Sequence, residues 1–364
     1  MTSGSNGSGA QIFLNLPRFT GYFTVFVTPG TSASGPTDTV RSMLAAYAAS
    51  INREDPLSGL VVADFVLPDP PAGWVGVNVK AASINHHDLW SLRGLALSAD
   101  KTPMVLGTDA AGVTDDGRRV IVHAVIGDPD AGGGDETLDP NRSLLSEVYH
   151  GTLAERVYVP ARNVVALPDD LSFVHAACLP TAWLTAYRML FVKGQLRPGQ
   201  SLLVQGAGGG VATALIRLAQ AAGITVYVTS RDEGKRQAAV VLGATAAFEP
   251  GARLPQRVDV VAETVGRATW DHSIKSLKPG GKLVVSGATS GFDPTEDLRR
   301  VYFTQLSIIG STMGTRSELV DLMSFLGATG VRPTVDTVLP LAQAREALAI
   351  MESGDFTGKI VLEV

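Results

Sequence analysis

The fold is decided by Ser201 to Arg231, SLLVQGAGGGVATALIRLAQAAGITVYVTSR. Ser201 to Gln205 reads as a strand, Gly206 to Gly210 as a glycine turn, Val211 to Ala222 as a helix and Thr225 to Thr229 as a second strand. Val211, Leu215, Leu218, Ala219 and Ala222 share one helical face, and Gly223 stops the helix. Both strands are short, branched and apolar, as strands of a sheet covered on both faces should be. A glycine pattern alone is more often an ordinary tight turn, but here strand, helix and second strand supply the context a phosphate cradle requires. Ala207, Gly208, Gly209, Gly210 and Val211 are therefore expected to hold the pyrophosphate of a dinucleotide, through bare backbone N–H groups and the helix dipole.

Just past the second strand, a carboxylate would bond both hydroxyls of an NAD ribose. Ser230 and Arg231 stand there instead, with Lys235 one turn on. Hydroxyl, guanidinium and ammonium suit a 2′-phosphate and have no partner on a bare ribose. Asp232 argues the other way, yet the balance favours NADPH over NADH. Further strands, Arg257 to Ala262 and Lys282 to Ser286, lead into turns at Thr264-Val265 and Gly287-Ala288. Ligands lie beyond the carboxyl ends of such strands, so these turns line the nicotinamide half of the cleft. Ile308 and Ile309 begin one more strand, which ends near Met313 on the same side.

The 364 residues suffice for two domains, and 45% hydrophobic with 18% charged residues describes an ordinary globular chain. A formal charge of −5 gives no electrostatic reason to expect nucleic acid or an acidic membrane as partner. One cysteine, Cys178 in an apolar run, excludes a disulfide framework and reads as a buried inert thiol. No stretch approaches the length of a membrane span, and a cytoplasmic location is expected. Residues 1–42 are expected to be a disordered or loosely attached leader, their first nine rich in Ser, Gly and Asn. The apolar run from Phe19 is too broken and too far in for a signal peptide.

From Met43 to Pro168 short strands dominate: LAAYA, LVVADFVL, WVGVNVKAASI, VIVHAVI and ERVYV. The chemically loaded segment is Asn85-His86-His87-Asp88-Leu89-Trp90, directly after a strand. Asn85 and Asp88 share a face if the segment is helical, whereas the two adjacent histidines point apart. Each histidine is a proton donor near a ligand or a plain half-buried side chain. Gly127 to His150 reads as a long polar loop, either a lid or a solvated insertion, with Tyr149 and His150 as weak proton-transfer candidates.

The stretches NHHDLW, GTDAAGV, GTLAERVYVP, ACLPTAWLTAYRML, LVQGAGGGVATALIRLAQAAG, VDVVAETVG, LKPGGKLVVSGATSG, IIGSTMG and FTGKIVLEV resemble the medium-chain dehydrogenase/reductase superfamily, in its zinc-free quinone oxidoreductase-like branch. The resemblance runs from about Met43 to the C-terminus. It implies an α/β chain: a Rossmann doubly wound parallel sheet, residues 169–311, inserted in a GroES-like β-rich catalytic domain made of 43–168 and 312–364. It also implies a homodimer, made by pairing edge strands. Asn85 and Asp88 match that branch's Asn-x-x-Asp, which puts Asn85 at the nicotinamide end; Trp90 stands where a Tyr often follows. Gly358 and Lys359 resemble the late cofactor-side turn. Zinc-containing relatives carry a Cys near His86 or His87 and Gly-His-Glu where this chain has Gly107-Thr108-Asp109; both ligands are replaced, and the four-cysteine lobe is missing. No zinc is expected.

Without a Lewis acid, removing an alcohol's proton is hard, and reducing an electrophilic acceptor is easier. Hydride from nicotinamide to a quinone or an α,β-unsaturated carbonyl is the expected reaction, on a small-molecule electrophilic substrate. Thr181 or Thr185 would polarise the carbonyl, and water or His87 would give the proton. Two other readings stand beside it: a metal-free alcohol or aldehyde dehydrogenase using His87 or Tyr187 as base, and a nucleotide-binding sensor or structural protein with little turnover.

Overall fold

The computed structural model describes residues 42–364, so the expected leader lies outside the described residues except for Ser42. Six parallel strands form one sheet, in the order Ala246–Phe248, Thr225–Thr229, Ser201–Gln205, Val258–Glu263, Leu277–Val285, Ser307–Gly310. This is the doubly wound order whose first strand lies centrally and whose direction of winding reverses beside it. Ser201–Gln205 is fully buried, as its Leu202-Leu203-Val204 run requires, with the polar ends bonded to Asp259 and to Thr229 and Ser273. The helix after it spans Gly210–Ala221, one residue earlier at each end than expected. Its buried residues include Ala212, Leu215, Leu218 and Ala219, which share one core with Leu202 and Val204 of the strand.

A second sheet of seven strands runs Val164–Ala166, Arg119–Val122, Asp109–Thr114, Trp74–Ser83, Lys359–Glu363, Val335–Pro340, with Arg156–Pro160 also paired to Trp74–Ser83. Strands from both ends of the chain thus share this sheet. Ser83 faces Asp109 on one neighbour and Val361 on the other. That register carries Asn85, at the end of its strand, to the start of the last strand at Lys359. Leu44 and Met43 belong to a third, three-stranded sheet.

Between the two large sheets, Phe173–Lys193 is helical, with wide turns at Leu179–Trp183 and Arg188–Lys193. Helix Arg316–Thr329 lays Leu319, Leu322, Met323 and Leu326 into the core shared with Ser201–Gln205. Two further boundaries differ by more than a residue. The strand expected from Lys282 begins at Leu277, and the helix expected from Leu341 opens with a tight turn before Ala344–Ser353. The Gly127 to His150 loop is held by a short strand pair, Val125–Ile126 with Ser143–Leu144. It is further fixed by Asp135, bonded to the buried Arg188, and by Glu136, which accepts from Arg316 N at 2.6 Å. An insertion pinned at two carboxylates is a fixed wall rather than a free lid.

Candidate active site

Six side chains from four separate segments meet where the strand Trp74–Ser83 ends. Lys359 Nζ donates to Ile84 O at 2.8 Å, to Asn85 Oδ1 at 2.5 Å and to Asp109 Oδ2 at 3.2 Å. The same Asp109 oxygen accepts from Asn85 Nδ2 at 2.9 Å and Ser83 Oγ at 2.8 Å. Asn85 Nδ2 also reaches Thr108 Oγ1 at 3.1 Å, and Thr108 Oγ1 lies 2.9 Å from Thr181 Oγ1. Lys359 is 2% exposed and Asp109 0%, so this ion pair is desolvated and depends on its hydrogen bonds. An amide, three hydroxyls and a carboxylate already holding an ammonium form a poor donor set for zinc. Among the described residues no group of three or more His, Cys, Asp or Glu is placed to hold a metal ion.

The helix His86–Leu92 starts immediately after Asn85. Asp88, expected among the catalytic groups, spends both oxygens on backbone: Oδ2 accepts from Asn85 N at 2.8 Å and Oδ1 from Gly107 N at 2.9 Å. Gly107 turns there at φ +97, where an added Cβ would lie 2.5 Å from Thr152 Oγ1. Burial pushes the Asp88 carboxyl above the usual carboxylate range. The histidines do point apart. His86 lies toward Trp90 and Phe356, its pKa lowered by burial and then by the Lys359 and Arg93 charges. His87 turns to the Gly127 to His150 insertion, with Nε2 2.9 Å from Glu147 Oε1.

Across the cleft, the glycine turn leaves its strand at Gly206, whose N–H bonds Thr229 O at 3.0 Å. Gly209 caps the 12-residue helix without a side-chain bond, the first turn holds no acidic residue, and a Cβ built on Gly209 meets nothing within 4 Å. A bare, open helix start fits a phosphate. Gly208 and Gly210 are glycines for another reason as well: a Cβ would press on Lys235 at 2.9 Å and Lys359 at 2.7 Å respectively. The returning chain covers the turn, with Gly358 N donating to Gly208 O at 2.8 Å. Val211 is half-buried in the first turn and Ala207 is buried beside it.

At the rim, Arg231 is exposed and Ser230 Oγ accepts from Asp232 N at 3.2 Å. Asp232 caps the helix with one oxygen, Oδ1, accepting from Lys235 N at 2.7 Å. Lys235 bonds the Gly354 carbonyl instead of reaching out beside Arg231. Its ammonium also lies 6.0 Å from the Phe356 ring. The turns at Thr264-Val265 and Gly287-Ala288 sit side by side: Ser290 N bonds Val265 O at 2.7 Å, and Glu263, fully buried, accepts from the N–H groups of Val265 and Gly266. Met313, at φ +48, packs with Ala124, Val125 and Leu144.

The remaining candidates are absorbed by packing. Tyr149 packs tilted against Trp74, His150 Nδ1 accepts from Val105 N at 3.2 Å, and Tyr187 packs on Phe191 with its pKa raised chiefly by burial. Cys178 is fully buried, its thiol pushed up to about 12 by burial, and is inert. Thr185 is buried one turn beyond Thr181. The residue-by-residue reading missed Thr108 and Asp109 as site groups, although the Gly-His-Glu position marked them, and missed Glu147, which nothing local signals.

Residues 71–169 match the family model described as "Alcohol dehydrogenase GroES-like domain", and residues 210–328 match "Zinc-binding dehydrogenase". A zinc-type alcohol dehydrogenase-like protein of Schizosaccharomyces pombe is 31% identical over 319 residues, covering 80% of this chain and 91% of the relative. A solved NAD-dependent alcohol dehydrogenase superposes with a TM-score of 0.81 at 33% identity, covering 88% of this chain and 100% of that one. A 2-octenoyl-CoA carboxylase reductase, solved with NADP and 2-octenoyl-CoA, superposes with a TM-score of 0.81 at 25% identity, covering 88% and 87%.

Proposed function

Since the chain belongs to the zinc-binding dehydrogenase family, we propose that it is an NADPH-dependent oxidoreductase reducing a quinone or an α,β-unsaturated carbonyl without a metal. Residues 43–168 and 312–364 act as the catalytic domain and 169–311 as the dinucleotide-binding domain. The observation that carries this reading is the Asn85–Asp109–Lys359 cluster. Asp109 stands at the end of the family's Gly-His-Glu stretch with its Oδ2 already taken by Ser83, Asn85 and the Lys359 ammonium and its buried Oδ1 unpartnered, and an ammonium against the carboxylate disfavours a metal cation there. The relative solved with NADP and an enoyl thioester supports the acceptor class.

Bound at Gly209 to Val211, a reduced nicotinamide dinucleotide supplies the hydride. The chain's own groups do the rest. The open helix start receives the pyrophosphate, and Arg231 with Ser230 receives the 2′-phosphate. Lys359 fixes Asn85, and Asn85 holds the Thr108–Thr181 hydroxyl pair at the nicotinamide end. With Thr181 so occupied, the Thr185 hydroxyl is the group left to polarise the acceptor's carbonyl. Trp90 and His86 wall the cleft beside Phe356. A second copy of the chain docks on the edge strand Ser307–Gly310, where Phe292, Leu298, Tyr302 and Phe303 are exposed. No helix among the described residues is long and apolar enough to cross a membrane.

The test mixes purified protein with NADPH or NADH and quinones, enones, aldehydes and alcohols, following nicotinamide absorbance. Oxidation of NADPH by quinones or enones is expected. Turnover of alcohols alone would install the dehydrogenase reading that the NAD-dependent neighbour suggests, and tight NADPH binding with no turnover would leave a sensor. Arg231→Ala should weaken NADPH about tenfold and leave NADH unchanged, as loss of one charge-assisted phosphate contact does.

A further inference from the structure

We infer that Glu147, carried by the Gly127 to His150 insertion, is a positioning residue that fixes His87 as the proton donor of the reduction. The inference rests on the reduction reading above. Glu147 Oε1 lies 2.9 Å from His87 Nε2, while its other oxygen accepts from Leu144 N at 3.2 Å. The carboxylate is therefore anchored, and it takes the Nε2–H. The ring's remaining nitrogen, Nδ1, is left to exchange a proton. Among the described residues only Ser146 Oγ lies near it, at 3.5 Å, too long to compete strongly. Ser146 sits at φ +68, a left-handed backbone that a non-glycine residue seldom adopts, and this turn sets Ser146 and Glu147 side by side against the ring.

Three residues before Glu147, Leu144 packs against the cluster of Ala124, Val125 and Met313, the last being the residue expected on the nicotinamide side. The Glu147 side chain is 28% exposed and that of His87 11%, so the carboxylate is the more solvent-facing end of the pair. The charged groups facing His87 are Glu147 from the insertion and Asp88 from its own helix. In the step, the acceptor gains one hydride, with its electron pair, from a reduced nicotinamide dinucleotide and forms a C–H bond. His87 donates as the imidazolium: the Nδ1 proton goes to the acceptor's oxygen or α-carbon, the neutral ring keeps its Nε2–H on Glu147, and water returns a proton to Nδ1. Hydride plus proton makes a two-electron reduction.

Two measurements on the full chain test this. Histidine ring nitrogen NMR on cofactor-free protein, with His87 assigned by loss of its signal in His87→Asn, should show the Nε2–H tautomer in the wild type and a mixture in Glu147→Ala. With an acceptor the wild type turns over, His87→Asn should lower kcat about 100-fold or more, as removal of a general acid does. Glu147→Ala should lower kcat about 10–100-fold, the size of effect that loss of an orienting partner has, with the NADPH KM unchanged and part of the loss recovered in Glu147→Asp. Wild-type kcat in Glu147→Ala, or an unchanged His87 tautomer, overturns the inference. A parallel fall in kcat and thermal midpoint that Glu147→Asp does not recover makes Glu147 merely structural and overturns it as well. Absence of any NADPH turnover by the wild type sinks the reduction reading instead, and the tautomer measurement still decides what Glu147 does.

Discussion

Two helix starts face each other across this molecule, and they are finished in opposite ways. His86–Leu92 is closed by its own carboxylate: Asp88 takes the Asn85 N–H and, beyond the helix, the Gly107 N–H. Gly210–Ala221 is left bare, with a glycine cap, no acidic residue in its first turn and open space where a side chain would stand. Each start carries roughly half a positive charge. One is neutralised internally and serves to hold Asn85 in place. The other keeps its charge for a ligand. What separates a structural helix start from a binding one here is the side chain the sequence puts in front of it.

The largest effect should come from breaking the cluster that the closed helix presents. Lys359→Met strands the Asp109 carboxylate in the core and should cost about 3–5 kcal/mol, read from the denaturant midpoint. A loss below about 1 kcal/mol would show that the carboxylate finds solvent or another partner, outside the range for a broken buried pair. Asp88→Asn keeps the shape and turns an acceptor oxygen into a donor facing a backbone N–H. The expected cost is about 1–3 kcal/mol, with the Gly107 amide exchanging faster with solvent. The smallest effect lies away from both helix starts. Asp115 is held below the usual carboxylate range by its hydrogen bond from Arg156, at 2.7 and 2.6 Å. A lowered folded-state pKa gives stability that is present above the unfolded value and is lost as pH falls through the folded one. Asp115→Asn should thus cost at most about 1 kcal/mol near neutral pH, since the pair is largely exposed. The difference from the wild type should shrink as the pH drops below about 4. A difference that grows in acid would reverse the sign.

The bare helix start was legible because everything that makes it is local. Strand, glycines, helix and second strand lie within Ser201 to Thr229, and the periodicities of branched and apolar residues survive in the structure to within one residue. The polar cluster was legible only in fragments. Lys359 meets Asn85 across a sequence separation of 274 and Asp109 across 250, so no spacing rule joins them; only the sheet register does. Asn85 stands out both by its place after a strand and by the family resemblance, Lys359 only by the resemblance, and Thr108 with Asp109 only as replaced positions. Lys235 shows the limit of placing a long side chain from its position alone. Its stem reaches the returning segment and bonds Gly354, a residue 119 positions away. Glu147 sits in a Gly- and Asp-rich stretch whose composition says loop and nothing about which carboxylate faces a histidine.

The most direct test converts one helix start into the other. Gly209→Asp places a carboxylate in front of the bare helix at a φ of −72, where the new side chain has room and is a preferred cap. The expected result is a thermal midpoint equal to or above the wild type together with NADPH affinity weakened about tenfold or more, because the carboxylate occupies and repels the phosphate position. Unchanged NADPH affinity in a folded Gly209→Asp protein would contradict the placement of the dinucleotide at this turn.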